Sequence, residues 1–271
     1  MSAGRLRNRS REAVFLGYHS VAEEGPPFLS VTPEAFERHL ALLKRRGFRS
    51  GTLADLAHVA GGGRPDGKLA FLTFDDGYVD NYATARPLLE AYGFRAIVFL
   101  VPPLIDGGGP LVWERVERHV RDYPAVMRAM TWTMVESMAA EGHEFGSHTL
   151  THPRLPDLDD ERLRRELSES REQVERRLGS CEALAYPFGL WSPRVAAATG
   201  RAGYSYAFTL PYGAQTHADR LTIPRIAIDH RDDERRFGLK LTRAYRAFAL
   251  SRGKPALRRL LRRAPAHQSP A

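Results

Sequence analysis

One cysteine, Cys181, stands in 271 residues. It cannot form an internal disulfide and cannot build a thiolate metal site, so any bound ion must be held by nitrogen and oxygen. The same scarcity fits a reducing compartment. Long apolar runs are missing too. The Ala96–Ile105 stretch is broken by Pro102 and Pro103 and falls far short of the roughly 20 residues that a spanning helix needs. The apolar run Ala13–Tyr18, which follows Arg5, Arg7, Arg9 and Arg11, is too short for a signal-peptide core and ends at His19. These absences predict a protein of the cytoplasm or the inner membrane face, with no signal peptide or transmembrane segment.

Excess charge is absent from most of the chain. Residues 1–230 hold 28 Lys and Arg against 29 Asp and Glu, whereas residues 231–271 hold 12 against 3. A near-neutral body offers no basic face for phosphates, which argues against nucleic acid as a partner. The basic end carries Phe237, Leu241, Tyr245 and Phe248 at helical spacing, then Leu257-Arg-Arg-Leu-Leu-Arg-Arg. That pattern predicts either peripheral contact with an anionic membrane, at about 1 kcal/mol per basic residue, or a plainly solvated tail. The expected organisation is a basic extension over 1–12, one domain over 13–237 and a basic amphipathic tail over 238–271.

What the chain has is alternation. Short runs rich in β-branched and aromatic residues, at 13–19, 68–74, 95–101, 144–147, 183–187, 204–209 and 222–228, alternate with segments of helical period. Seven parallel strands in a chain of this length suggest a single α/β barrel. The clearest helix runs over 159–178, where Leu163, Leu167, Ser170, Val174 and Leu178 recur at three and four and Gly179 supplies the stop. Others begin at Thr32-Pro33, Asp80 and Thr131 or Thr133.

Chemistry gathers at strand ends. Phe71-Leu-Thr-Phe-Asp75-Asp76-Gly77 reads as a buried strand delivering two carboxylates to a glycine turn, where a rotated backbone can aim both at one place. The plainer reading is that the triplet only caps the helix near Asp80. His148 and His152 follow the next strand four residues apart, on a helical turn or tight loop that brings both rings to one side at the spacing one metal ion needs. Two imidazoles and a carboxylate leave an open coordination position, the arrangement of a catalytic metal. Tyr186-Pro187-Phe188-Gly189 ends another strand; a backbone N–H there can meet developing negative charge, and Tyr186 or Phe188 can pack beside substrate. A simple strand-to-turn junction explains it equally well. His19 ends the first strand, where barrel enzymes keep working groups, and is a candidate general acid.

Thr73-Phe-Asp75-Asp76-Gly77 followed by His148-Thr-Leu-Thr-His152 resembles the first two signature motifs of the polysaccharide deacetylase family, the NodB-homology enzymes. The resemblance runs from about Ala13 to Phe237. It implies a distorted (β/α)7 barrel, with Asp75 as general base and Asp76, His148 and His152 binding zinc or a similar divalent ion such as cobalt or nickel. The family's late Leu-x-x-His motif has no clear counterpart near Asp229-His230. Tyr18-His19-Ser20 is similar instead to a rearranged subgroup, the biofilm poly-N-acetylglucosamine deacetylases, which favours His19 over His230 as the acid. Ala185-Tyr186-Pro187 lacks the arginine that steadies the family's base, and Arg225 is the expected substitute.

The activity implied is metal-dependent removal of acetyl groups from N-acetyl amino sugars in a polysaccharide, oligosaccharide or lipid-linked glycan. The alternatives are an amidase on a non-sugar substrate, an iron oxygenase using the same two-histidine, one-carboxylate set, and a non-catalytic glycan- or membrane-binding protein.

Overall fold

The computed structural model describes residues 13–61, 63–113, 116–210 and 219–249. The strands, in chain order, are β1 (Ala13–Tyr18), β2 (Ser20–Val21), β3 (Ser30–Val31), β4 (Phe48–Ser50), β5 (Lys68–Phe74), β6 (Ala96–Leu100), β7 (Glu144–Ser147), β8 (Ala183–Ala185), β9 (Tyr206–Thr209), β10 (Ile223–Pro224) and β11 (Ile226–Ala227). The main sheet runs β10-β9-β8-β7-β6-β5-β1-β11, and every neighbouring pair is parallel.

The last expected strand is split at Arg225. Its first half pairs with β9 and its second half with β1, so one chain run bridges the two ends of the sheet. The result is a nearly closed barrel, eight strands by hydrogen bonding and seven by position, in agreement with a distorted (β/α)7 barrel in a single domain. β2, β3 and β4 were not foreseen. β4 pairs with the start of β5, and β2 pairs with β3 apart from the barrel.

Alternation along the strands sorts side chains into two apolar layers. Leu69 and Phe71, Ile97 and Phe99, Ala183 and Ala185, Tyr206 and Phe208, and Ile223 form one cluster, the barrel interior. Val14, Leu16 and Tyr18, Leu72 and Phe74, Val98 and Leu100, and Leu184 join the helices in the other. Gly146 belongs to the inner set. A Cβ there would stand 2.8 Å from the Phe99 ring and 2.5 Å from the Ala183 carbonyl, so only glycine lets the ring lie across β7.

The helices are α1 (Pro33–Arg45), α2 (Leu53–Ala60), α3 (Arg86–Tyr92), α4 (Pro102–Ile105), α5 (Glu117–Asp122), α6 (Trp132–Ala140), α7 (Asp160–Leu178), α8 (Pro193–Arg201), α9 (Glu234–Lys240) and α10 (Arg243–Ala249). A π-helical turn, Asn81–Ala85, leads into α3. α7 is the helix read from periodicity. Asp159 caps it by accepting from the Arg162 N–H at 2.8 Å, Gly179 ends it at φ 80°, and Leu163, Leu167, Ser170 and Val174 are buried. Full burial of each such leucine contributes about 1.5–3 kcal/mol.

The boundary expected between 237 and 238 falls inside α9. Phe237, Gly238 and Leu241 are buried and α9 packs on α1, so the start of the expected tail is part of the barrel's outer layer. The single helical stripe expected from 237 to 248 is two short helices, with Leu239 and Phe248 exposed. The segment 1–12 and the basic run 257–263 lie outside the described residues. Among the described residues, no helix is long and apolar enough to cross a membrane.

Candidate active site

Because all barrel strands are parallel, their carboxyl ends share one rim. Residues 13, 15, 17 and 19 keep one side of β1, and 69, 71, 73 and 75 keep one side of β5, so His19 and Asp75 continue the inward series. Asp76 would face outward by the same rule. It adopts φ 73°, and Gly77 follows at φ 73°, which turns the second carboxylate back over the rim. The His148–His152 loop does the same with Thr149 at φ 73° and His152 at φ 59°, so the two imidazoles sit on a tight loop and not on a helix. Left-handed backbone at residues other than glycine is strained and gathers at functional sites. Phe188, at φ 57°, is the fourth described non-glycine residue of this kind, and it too lies at the rim.

Asp76, His148 and His152 converge. Asp76 Oδ1 is 3.4 Å from His148 Nε2 and 3.5 Å from His152 Nε2, and all three residues are buried. Asp76 Oδ1 has no hydrogen-bond partner. His148 Nδ1 is 2.8 Å from the Ala185 carbonyl and donates to it, which leaves a lone pair on Nε2 facing the carboxylate. Burial, then the neighbouring Asp75 charge, push the Asp76 carboxyl well above its usual range. Burial lowers both imidazoles, and His148 depresses His152 further. Two neutral nitrogen donors and an unpaired carboxylate oxygen around one point fit a divalent cation.

The ligand loop is fastened from outside. Glu166 on α7 accepts the Leu150 and Thr151 N–H groups at 2.9 Å each and the Thr151 hydroxyl at 2.6 Å. Thr149 Oγ1 accepts the His152 N–H at 3.1 Å. Trp113 and Phe188 flank the His152 ring, with centroids 4.3 and 4.7 Å away.

Asp75 has different company. Arg225 donates to both its oxygens, Nη1 to Oδ1 at 2.7 Å and Nη2 to Oδ2 at 2.8 Å, and Nη1 also reaches Thr73 Oγ1 at 2.9 Å. Arg225 is fully buried. Burial raises the Asp75 carboxyl, but Arg225, His148 and His19 outweigh it and hold the group well below the usual carboxylate range. His19 Nε2 stands 3.9 Å from Asp75 Oδ2 with 18% of its side chain exposed. Burial lowers its pKa to about 4 despite the opposing pull of Asp75.

Two expected residues are placed elsewhere. The Tyr186 hydroxyl donates to the Leu221 carbonyl at 2.9 Å, and its ring belongs to the outer layer, so it does not face the rim. The Gly189 N–H donates to the Tyr186 carbonyl at 2.8 Å and closes the turn begun by Pro187. Phe188, the residue between, has an N–H with no partner inside that turn. His230 is half exposed, and its Nδ1 meets the Pro27 carbonyl. Thr73, Trp113 and Glu166 were not foreseen. Inward parity before Asp75 was a usable signal for Thr73; nothing local marks the other two.

The sequence model of the polysaccharide deacetylase family matches residues 62–207, more than half of the chain. The chain belongs to the polysaccharide deacetylase family. Among curated members, YxkH of Bacillus subtilis (strain 168) is 26% identical over 201 residues, which are 73% of this chain and 64% of YxkH. The poly-β-1,6-N-acetyl-D-glucosamine N-deacetylase of Escherichia coli (strain K12) is 23% identical over 256 residues, 84% of this chain and 38% of that protein. The chain therefore spans less than two thirds of the length of either relative. Among solved structures, the Streptococcus pyogenes deacetylase PplD in complex with acetate shares the fold with a TM-score of 0.71 at 22% identity, covering 84% of this chain and 98% of PplD. The strained Asp76-Gly77 turn, the paired histidines and Phe188 all lie inside the residues that the family model matches. The Arg225 clamp and His19 lie outside them.

Proposed function

We propose that the protein is a divalent-metal-dependent hydrolase that removes acetyl groups from N-acetyl amino sugars of a glycan, with zinc as its metal. The observation that carries the reading is the convergence of Asp76, His148 and His152 on one point within reach of a second, separately paired carboxylate, Asp75. A ligand set alone would also suit ferrous iron. The adjacent base favours hydrolysis, and so do the family and its poly-N-acetylglucosamine deacetylase relative in Escherichia coli.

A zinc ion held by Asp76, His148 and His152 supplies Lewis-acid stabilisation of charge on the acetyl oxygen and lowers the pKa of water in the site. The remaining work falls to the chain's own groups. Arg225 holds Asp75 well below the usual carboxylate range and uses only part of its lone-pair capacity, so the carboxylate can still accept a proton from the attacking water. The Phe188 N–H is the amide available to the developing oxyanion. An amine leaves poorly until protonated. His19 Nε2, 3.9 Å from Asp75 Oδ2, is neutral at rest, takes the proton that Asp75 has accepted and delivers it to the amine nitrogen. Acetate and a free amino sugar result.

The test is acetate release from β-1,6- and β-1,4-linked N-acetylglucosamine oligomers by protein that has been chelated and then reloaded with zinc or cobalt. Release that disappears with chelator and returns with metal supports the reading. None with either metal on either oligomer overturns it. Asp75→Asn should keep zinc and lose about 10²- to 10⁴-fold in turnover. His148→Ala should lose both zinc and turnover.

A further inference from the structure

Three consecutive residues, His19-Ser20-Val21, are gripped by two others, Asp80-Asn81. Asn81 Nδ2 donates to the His19 carbonyl at 2.7 Å. Asp80 Oδ2 accepts from Ser20 Oγ at 2.7 Å, and Asp80 Oδ1 accepts from the Val21 N–H at 3.0 Å. Asn81 Nδ2 also donates to Asp80 Oδ1 at 3.1 Å, which joins the two gripping side chains to each other. Asp80, Asn81 and Ser20 are all buried.

These bonds are unusual for the place where they occur. Asp80 precedes a helical turn, where an aspartate ordinarily caps with its side chain. Here it makes no capping bond and spends its carboxylate across the rim on β2. The turn that follows, Asn81–Ala85, is π-helical, a form that is rare and recurs at functional sites. Leaving a carboxylate buried and a helix end uncapped costs stability, and the return is that the segment carrying His19 is fixed to the segment carrying Asp75 and Asp76. The Asp75 N–H adds a fourth tie, donating to the Tyr18 carbonyl at 3.0 Å.

We infer that Asp80 and Asn81 are positioning residues for His19, holding its backbone against the β5 loop so that its imidazole stands over Asp75 for proton delivery to the leaving amine. The inference rests on the deacetylase reading above. It does not concern the metal site, because neither residue bonds to Asp76, His148 or His152. A misplacement of the imidazole by about 1 Å costs on the order of 100-fold in rate.

The experiment is a double-mutant cycle on zinc-loaded protein, with acetate release from an N-acetylglucosamine oligomer as the readout and bound zinc measured alongside. Asn81→Ala and Asp80→Asn should each lower kcat by about 10- to 100-fold and leave KM and zinc content within about twofold. Ser20→Ala removes a single hydroxyl and should give a smaller loss in the same direction. In a His19→Ala background all three should add less than about twofold, because groups that act through one another are not additive. A loss retained in full in the His19→Ala background, a loss of zinc, or variants as active as the parent would overturn the inference. A parent protein that releases no acetate under any metal overturns the deacetylase reading instead.

Discussion

Asp75 and Asp76 are adjacent in sequence and buried side by side, yet the two halves of the site they anchor are built on opposite principles. Around Asp75 the protein satisfies itself. A buried guanidinium takes both oxygens, Thr73 supports the guanidinium, and the backbone continues the regular strand parity. Around Asp76 it does not. One carboxylate oxygen lacks a partner, two imidazoles face it, and the backbone is left-handed at Asp76, Thr149 and His152. The first half is complete without a ligand and holds a charge ready. The second gathers a ligand set that could hold a cation, on a backbone whose strain the surrounding fold carries.

Arg225→Met should break the contrast most severely. It strips the buried Asp75 carboxylate of its counter-charge, and removing one partner of a buried pair costs about 3–5 kcal/mol. The carboxyl pKa should then rise, since burial would be opposed only by His148 and His19. Denaturant midpoints should fall, acetate release should be lost, and zinc should still bind, because no ligand touches Arg225. A variant that lost zinc as readily as His148→Ala would show that the halves are one unit and that the comparison is wrong.

The same contrast explains what could be read from the sequence. The barrel was legible because period-two apolar runs and helical periods report burial directly, and the site residues on β1 and β5 are the next inward positions of those runs. Asp76, His148 and His152 were legible as chemistry, through residue type and spacing. Their left-handed backbone was not, since Asp, Thr and His carry no obligatory signal for it. Arg225 could be expected only through a likeness to a family that places an arginine beside its base. Its geometric role depends on the 222–228 run switching partners from β9 to β1, a tertiary event that no local pattern encodes. Tyr186 misled for the mirror reason: it is a strand-end aromatic one position out of inward register, so its ring points to the helices. Two capped helices were overlooked although their signals were present, Thr52 with Asp55 for α2 and Ser192 with Pro193 for α8.

Glu166→Gln should act on the ligand half alone. Glu166 touches no ligand atom, but it holds the Leu150 and Thr151 amides between the two histidines. Supporting groups of this kind typically contribute 10- to 100-fold in metal affinity, so competition with a chelator should show weaker zinc binding by about that factor. Turnover at saturating zinc should recover to near the parent's. Failure to recover would mean that the loop also positions something in the proton half.

The smallest expected effect comes from an imidazole outside both halves. His39 is buried on α1, stacked on Phe237 at 4.0 Å, with Nε2 2.6 Å from the Asp232 carbonyl and Nδ1 3.3 Å from the Tyr18 hydroxyl. Burial lowers its pKa from 6.5 to about 4, which the bond to Asp232 and its charge only partly oppose. A depressed histidine pKa means that the unfolded chain binds the extra proton, so its contribution to stability is present above 6.5 and is lost as pH falls toward 4. The loss is at most about 1.4 kcal/mol per pH unit across that window. His19 and His143 are lowered to about 4 as well, so the whole protein should lose stability through the same range. Urea midpoints at several pH values, for the parent and for His39→Gln, separate the contributions. The variant should be less stable at pH 7 and show a shallower acid slope, whereas an unchanged slope would assign the acid sensitivity to His143 and the site histidines. Saturating zinc sharpens the comparison further, because it should shift the acid loss of the ligand half to lower pH and leave the His39 share where it was.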